Sequence, residues 1–134
     1  MAYWLLKTEP DSYGWADLVR DGETEWTGVR NHTAAAHLRA MAVGDLAMIY
    51  HSGAQKAAVG VAEVTRTAQA DGAAPWVSVA IAARHPLRTP VTLGGMKTTP
   101  ALAGMAMLRQ SRLSVSPVTP AEWAAITGLA DQIS

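Results

Sequence analysis

One short stretch of the chain crowds aromatic and polar side chains together. The segment "EWTGVRNHTAAAHL", residues 25–38, places Trp26, Arg30, Asn31 and His32 within seven residues. An indole offers a flat face on which a nucleobase can stack, and such stacking contributes about 1–3 kcal/mol. Arginine and asparagine carry forked groups that hydrogen-bond base edges or phosphate. This combination indicates a site that binds a flat, polar ligand.

Three further segments carry side chains of the same kind. The apolar run "YWLLK" at 3–7 ends in a lysine and is followed by Thr8 and Glu9. A second apolar run ends in "YHS" at 50–52, and "LRQSR" at 108–112 supplies two arginines and a glutamine. If these segments converge at one end of the fold, they form a polar pocket with an aromatic wall.

The same residues also have ordinary structural interpretations. The chain has five Trp and no Phe, so tryptophan must supply most of the aromatic volume of the core. A single tryptophan is more often a core residue than a platform for a ligand, and an arginine near a helix start is usually solvated or ion-paired. Residue types alone therefore leave both a nucleobase pocket and a purely structural role open.

The sequence favours binding over catalysis, and no cofactor or metal is expected. The absence of cysteine excludes disulfides, thiolate metal sites and a cysteine nucleophile. His32 and His37 are five residues apart, a poor spacing for two ligands on one helical face, and no carboxylate completes a ligand set. The chain has neither a phosphate loop nor a G-x-S-x-G motif. An acid–base role for Glu9 or His51 stays open as the alternative.

The composition fits one compact domain, residues 1–134. A hydrophobic fraction of 49% with 16% charged residues is too apolar for a disordered protein. Eleven basic and eleven acidic residues cancel, which disfavours broad phosphate binding but permits a local basic patch. No apolar run approaches the ~18 residues of a membrane span, and the apolar start is too short for a signal peptide. We expect a cytoplasmic protein without membrane association.

Hydrophobic patterning predicts five or six short strands with a few helices. The predicted strands are at 3–7, up to about Tyr50, and at 58–67, 76–87 and 113–118. An irregular region is expected to begin at Pro90. This pattern is typical of a small curved sheet or barrel decorated by helices, an α+β fold.

Helix start and stop signals place three helices around these strands. The first begins at Asp11 or Ser12 and ends at Arg20, and a loop carrying Trp26 and Gly28 follows. Asn31 is expected to cap a second helix of about ten residues. Near the C-terminus, "TPAEWAAITGL" has a threonine cap, a proline at the first helical position and a glutamate three residues after the cap.

Four segments together resemble the EVE domain family in order and spacing. They are "YWLLKTEPDSYGWADLV", "TEWTGVRNHTAAAHLRAMAVGDLAMIYHS", "AVGVAEV" and "LRQSRLSVSPVTPAEW", which span residue 3 to about 126. The resemblance implies a PUA-like β-barrel of about five to six mixed strands flanked by short helices, related to the PUA, ASCH and YTH domains. It also implies a non-catalytic module that binds nucleic acid and reads a modified base, such as a 5-methylcytosine derivative in DNA or a base in RNA.

Such a base would be flipped out of the stack into the pocket, at a cost of a few kcal/mol that stacking and edge contacts must offset. Two alternatives stay open: a nucleotide- or RNA-processing enzyme of a PUA- or ASCH-like type, and a protein-interaction domain. A module that reads a mark would work with an effector protein as its partner, and the oligomeric state is left open.

The resemblance also implies a set of ligand-binding residues. They are Trp4, Lys7, Thr8, Glu9 and Pro10; Trp26, Gly28, Val29, Arg30 and Asn31; Tyr50, His51 and Ser52; and Arg109, Gln110 and Arg112. The chain departs from the family after "GVRN", where an aromatic residue, Gln, Ala and Arg are usual and residues 32–35 are His, Thr, Ala and Ala. Losing a basic residue at Ala35 removes a potential phosphate contact, and His32 adds a titratable nitrogen.

Overall fold

The computed structural model describes residues 1–132, which form one six-stranded sheet with short helices. Residues 133 and 134, the end of the single domain predicted above, lie outside this range. The strands are β1 Tyr3–Thr8, β2 Glu23–Trp26, β3 Leu46–His51, β4 Ala57–Ala70, β5 Val77–Thr92 and β6 Val115–Val118. The helices are α1 Pro10–Tyr13, α2 Trp15–Asp21, α3 His32–Ala40, α4 Leu93–Lys97, α5 Ala106–Arg109 and α6 Pro120–Ala130, with a 3₁₀ turn at Pro100–Leu102.

The strand order across the sheet is β2-β5-β4-β3-β1-β6. Strand β1 pairs in parallel with β3, and every other neighbouring pair is antiparallel. The predicted α+β fold with six mixed strands and short helices is confirmed. Within residues 1–132 the edge strands β2 and β6 do not pair with each other, so the sheet is open and the predicted closure into a barrel does not occur.

Three local predictions differ from the structure. Trp26 ends strand β2 instead of lying in a loop. The first predicted helix is two helices, because Gly14 adopts an extended backbone and its N–H binds the Asp17 carboxylate at 2.7 Å. Strand β5 continues through Pro86 and Pro90 to Thr92. Strand β2 pairs with β5 only up to Ala82, so both prolines lie where β5 has a single neighbour and a missing N–H is tolerated.

The sheet separates two apolar layers, because side chains alternate between its faces. On one face Trp4 and Leu6 pack with Leu38 of α3. On the other face Leu5 packs with Ile126 of α6. Helices therefore cover both faces of β1 and hold its carboxyl end in place. No helix within residues 1–132 has the length and apolarity needed to cross a membrane.

A buried carboxylate ties the start of the sheet together. Asp45 accepts hydrogen bonds from the Trp4 indole at 3.0 Å and from the backbone N–H groups of Ala2 and Ala42 at 3.1 and 2.9 Å. Burial alone would raise the pKa of Asp45, but these three donors outweigh it and hold that pKa below its ordinary value of 3.8. Asp45 is therefore ionised in the folded state at neutral pH.

Asp45 should make folding stability depend on acidity. Because its pKa is lower in the folded than in the unfolded chain, its contribution is complete above the unfolded value and is lost as the pH falls through the folded value. We expect Asp45→Asn to lower the free energy of unfolding by about 1–3 kcal/mol at pH 7, since an amide cannot satisfy all three donors. Urea denaturation should show that the difference in free energy of unfolding between the two proteins is smaller below pH 4 than at pH 7. An equal difference at both pH values would contradict the ionised, hydrogen-bonded state of Asp45.

Strand β4 carries a glycine where an indole lies against the backbone. A Cβ at Gly60 would stand 2.5 Å from ring carbons of Trp15, closer than packed atoms can approach. We expect Gly60→Ala to destabilise the fold by about 1–3 kcal/mol in urea denaturation. Gly128→Ala is the matched control, because Gly128 lies in α6 with open space around its Cβ position, and it should stabilise by up to about 1 kcal/mol.

Candidate functional site

A concavity lies beside the carboxyl end of β1. Its volume is about 490 Å³, within the range of pockets that hold small ligands. Strand β2, helix α1 and the loop at 27–31 complete its walls. We call it the Trp26 cavity, and its lining residues are Lys7, Thr8, Ser12, Tyr13, Thr24, Glu25, Trp26, Thr27, Gly28, Val29, Arg30 and Ser114.

Two aromatic rings form one corner of the Trp26 cavity. Tyr13 meets Trp26 edge to face, with ring centroids 6.4 Å apart and planes at 85°. The Thr8 hydroxyl donates to the Tyr13 carbonyl at 2.6 Å, and the Tyr13 hydroxyl donates to Asp21 at 2.8 Å. Tyr13 is therefore held in place by hydrogen bonds at both its backbone carbonyl and its hydroxyl. Sequence reasoning missed Tyr13, whose only signal was an aromatic residue next to the helix-breaking Gly14.

The loop at 27–31 is fastened to the rim of the cavity by Asp71. Its carboxylate accepts from the Gly28 N–H at 2.9 Å and forms an ion pair with Arg30 at 3.0 Å. These two contacts, the Gly28 hydrogen bond first, lower the pKa of Asp71. Gly28 has φ +80°, a conformation that side chains disfavour, so glycine is needed at this turn.

The Arg30 guanidinium also lies over the ring of Trp76, 5.7 Å from its centroid. His32 contacts the same ring at a centroid distance of 4.9 Å. Arg30 is thus oriented before any ligand arrives, with nearly half of its side chain exposed. Asp71 and Trp76 escaped sequence reasoning because they lie some forty residues further along the chain.

Tyr50 and Ser52 line a second, smaller cavity of about 230 Å³. Lys7 lies between this cavity and the Trp26 cavity and lines both. Its ammonium donates to the Ser111 carbonyl at 2.6 Å. Ser111 in turn lines the third concavity, so the three are neighbours along one edge of the protein.

The third concavity is a shallow groove of about 380 Å³. It contains three of the predicted polar residues of "LRQSR" together with Asn31, and its lining is Asn31, Thr33, Arg109, Gln110, Ser111, Arg112 and Leu113. The side-chain oxygen of Asn31, Oδ1, accepts from the Ala34 N–H at 2.9 Å and caps α3, as predicted. Trp26, Tyr50 and Arg109 therefore line three adjacent concavities instead of the single pocket that the sequence suggested.

Four of the residues implied by the resemblance line none of these three concavities. Trp4 is a core residue bound to Asp45. Glu9 and Pro10 are exposed at the start of α1. His51 is buried and holds the start of α2.

Both ring nitrogens of His51 are occupied. Nε2 accepts from the Trp15 N–H at 2.9 Å, which places the proton on Nδ1, and Nδ1 lies 2.7 Å from Oε1 of Gln55. This arrangement fixes the start of α2 and leaves no nitrogen free for proton transfer. Within residues 1–132 no group of three histidine or acidic side chains is placed to hold a metal ion.

With this geometry in place, comparison with known proteins identifies the family. The family model described as "EVE domain" matches residues 2–129. The chain belongs to the EVE domain family. The Trp26 cavity and its two neighbours are therefore features of an EVE domain.

Three relatives of this EVE domain illustrate how widely the fold is shared. The structure of a protein from Rhodopseudomonas palustris is 45% identical with a TM-score of 0.93, covering 100% of this chain and 96% of that one. An uncharacterized Schizosaccharomyces pombe protein, C21.03c, is 31% identical over 138 residues, which include 87% of this chain and 58% of that protein. The chain thus spans little more than half the length of this curated relative.

The third relative has been solved with a ligand. The human THYN1 protein in complex with 5-methylcytosine containing DNA has a TM-score of 0.92, with 100% of both chains covered. At 24% identity this match shows that the two proteins share the fold.

The Asp71 contacts predict that one side chain holds the loop at 27–31. Asp71→Ala should speed hydrogen exchange at the Gly28 amide by about tenfold or more, because it removes a hydrogen bond to a charged acceptor that contributes about 1.5–3 kcal/mol. Asp71→Asn keeps an acceptor for Gly28 but loses the ion pair, so it should protect that amide better than alanine does. Unchanged Gly28 exchange in the alanine variant would show that the loop is held otherwise.

Proposed function

We propose that this EVE domain binds nucleic acid without catalysing a reaction and reads a modified base of the 5-methylcytosine type in DNA. The observation that carries the proposal is the Trp26 cavity, a concavity of ligand size with an aromatic corner beside hydroxyl groups. The shared fold with the THYN1 protein solved with methylated DNA supports it.

The proposed base would lie in the Trp26 cavity with its face toward an aromatic ring. Stacking on Trp26 or Tyr13 would offset much of the few kcal/mol that flipping costs. Val29 adds apolar surface to the same cavity, which suits a methyl group. The Ser12 hydroxyl can donate to or accept from the base edge, and the Thr8 hydroxyl, which donates to Tyr13, can accept. The cavity would thus combine apolar contact, which can distinguish a methylated from an unmethylated base, with hydrogen bonds that can identify the base edge.

Cations around the cavity would hold the sugar-phosphate backbone. Lys7 and Arg30 lie on the cavity itself, and Arg109 and Arg112 lie in the neighbouring groove. A formal net charge of zero over the whole chain means that attraction is local to this edge. We therefore infer modest binding to ordinary DNA whose salt dependence reflects these few phosphate contacts, with the base pocket supplying the specificity.

The placement of His51 and Glu9, the two candidates for acid–base chemistry, supports binding over catalysis. His51 uses both ring nitrogens in structural hydrogen bonds, and Glu9 is exposed outside the Trp26 cavity. We infer that any reaction on the mark belongs to a separate effector protein.

Replacing the stacking ring should weaken binding and remove discrimination. We expect Trp26→Ala to reduce the affinity for an oligonucleotide carrying one 5-methylcytosine by about five- to 150-fold, the loss of 1–3 kcal/mol of stacking. Fluorescence anisotropy with methylated and unmethylated oligonucleotides of one sequence measures both effects. Trp26→Phe keeps a ring and should retain part of the preference.

Trp123→Phe is the matched control, because Trp123 stacks on Tyr3 at a centroid distance of 4.6 Å and lines none of the three concavities. It should leave binding unchanged. Equal affinity of the unsubstituted protein for both oligonucleotides, unaffected by Trp26→Ala in a variant shown by circular dichroism to be folded, would refute the proposal.

A further inference from the structure

The chain has only three lysines, and all three line one cavity. Lys7, Lys56 and Lys97 come from the end of β1, the turn before β4 and helix α4, positions far apart in the sequence. They meet around the cavity of about 230 Å³ that also contains Tyr50. The other eight basic residues are arginines, and none of them lines this cavity. We call it the three-lysine cavity.

No acidic side chain of residues 1–132 lines the cavity or pairs with its lysines. The cavity lining contains neither Asp nor Glu, and none of the ion pairs in the described part of the chain involves a lysine. Three ammonium groups that line one concavity offer an anion several cationic donors at once. The cavity is therefore a site whose electrostatic complement is missing from the protein itself.

Lys7 and Tyr50 form the inner end of the three-lysine cavity. The Lys7 ammonium lies 5.8 Å from the centroid of the Tyr50 ring, and Tyr50 is only 3% exposed. Burial lowers the pKa of Lys7 and raises that of Tyr50, and no charged partner acts on either group. An anion bound here would stabilise the ammonium and replace part of the hydration that burial removes.

Lys56 carries a conformational cost in the folded chain. It has φ +50°, the only residue other than glycine with positive φ within residues 1–132. Lysine gains nothing from this left-handed conformation, which glycine or asparagine adopts more readily. A strained backbone at a non-glycine residue is a reason to look for a function of its side chain, and the Lys56 side chain lines the cavity.

The remaining walls are apolar. Leu93, Met107 and Leu108 line the cavity, and Met107 is buried. A bare inorganic ion would fill only the charged side and leave these walls uncovered. A ligand with an anionic group and a small apolar or planar body matches both parts of the cavity.

We propose that the three-lysine cavity binds a phosphate group carried on a small apolar or planar body. Compact ammonium groups converge on a phosphate from several directions as point-charge donors, and the leucine and methionine side chains cover the attached body. The volume limits that body to about a single ring. This site is separate from the Trp26 cavity, with which it shares only Lys7, and it does not depend on the function proposed for that cavity.

The phosphate could come from a free organic phosphate or from the backbone of a bound strand. Calorimetric titration of the full chain with phenyl phosphate, with inorganic phosphate and with phenol separates the contributions of charge and ring. We expect phenyl phosphate to bind more tightly than either, and to shift the NMR signals of the Tyr50 ring. A second titration, with methylated and unmethylated single-stranded oligonucleotides at several salt concentrations, tests the strand.

The decisive variant is Lys56→Gln with Lys97→Gln, since neither lysine lines the Trp26 cavity. If the ligand of the cavity is a free organic phosphate, this double variant should weaken phenyl phosphate binding by about tenfold or more and leave the affinity for both oligonucleotides unchanged. If the ligand is a phosphate of a bound strand, the double variant should lower the affinity for both oligonucleotides by the same factor and reduce the salt dependence of that affinity. The preference for the methylated oligonucleotide should stay intact.

The control variant is Arg39→Gln with Arg88→Gln, which removes the same charge from two exposed arginines that line none of the three concavities and form no ion pair within residues 1–132. Two results would overturn the proposal. One is that the lysine variant binds every phosphate probe as tightly as the unsubstituted protein does, or that the unsubstituted protein binds none of them. The other is an equal loss in the control variant, which would reduce the effect to net charge. Loss of methyl preference in the Trp26 variants bears on the Trp26 cavity alone, so the two proposals fail separately.

Discussion

The parallel pairing of β1 with β3 is the constraint on which the rest of this edge depends. It sets Lys7 opposite Tyr50 and Thr8 opposite His51, so two strands end in polar side chains at the same edge of the sheet. Strand β6 runs antiparallel on the other side of β1, and the Lys7 N–H bonds the Ser114 carbonyl at 2.9 Å. The Trp26 cavity and the cavity beside Tyr50 both include residues from this meeting of strand ends, and the third concavity adjoins them through Ser111.

The parts of this arrangement that could be predicted are those that local sequence encodes. An apolar run followed by polar residues marks a strand and its end, so Lys7 and Tyr50 could be recognised as strand-end residues. The parallel register between them comes from contacts over forty residues apart and has no local signal. Strand β2 escaped prediction for the same reason, because "ETEW" is short and charged and becomes a strand only by pairing with β5.

The candidate site shows the same limit at the level of side chains. Trp4, Asn31 and His51 have the right chemistry for ligand contacts, yet each supplies a hydrogen bond that a buried or terminal group of the fold requires. The sequence reveals what a side chain can bind but leaves open whether its hydrogen bonds are made within the fold or to a ligand. Asp71 is the converse case, an ordinary loop acid whose role emerges only when β4 and β5 carry it beside the Gly28 turn.

The charge of Lys7 acts in both cavities, because its side chain lines both. This shared charge determines how binding in one cavity can affect binding in the other. Its ammonium is partly desolvated, so a nearby charge acts on it more strongly than on a lysine in open water. An anion in the three-lysine cavity and a strand phosphate at the rim of the Trp26 cavity would compete for this one ammonium. A neutral base stacked on Trp26 would not, since stacking does not draw on the charge. If both proposals hold, recognition of the base and neutralisation of phosphate would be separable, although the two cavities share Lys7.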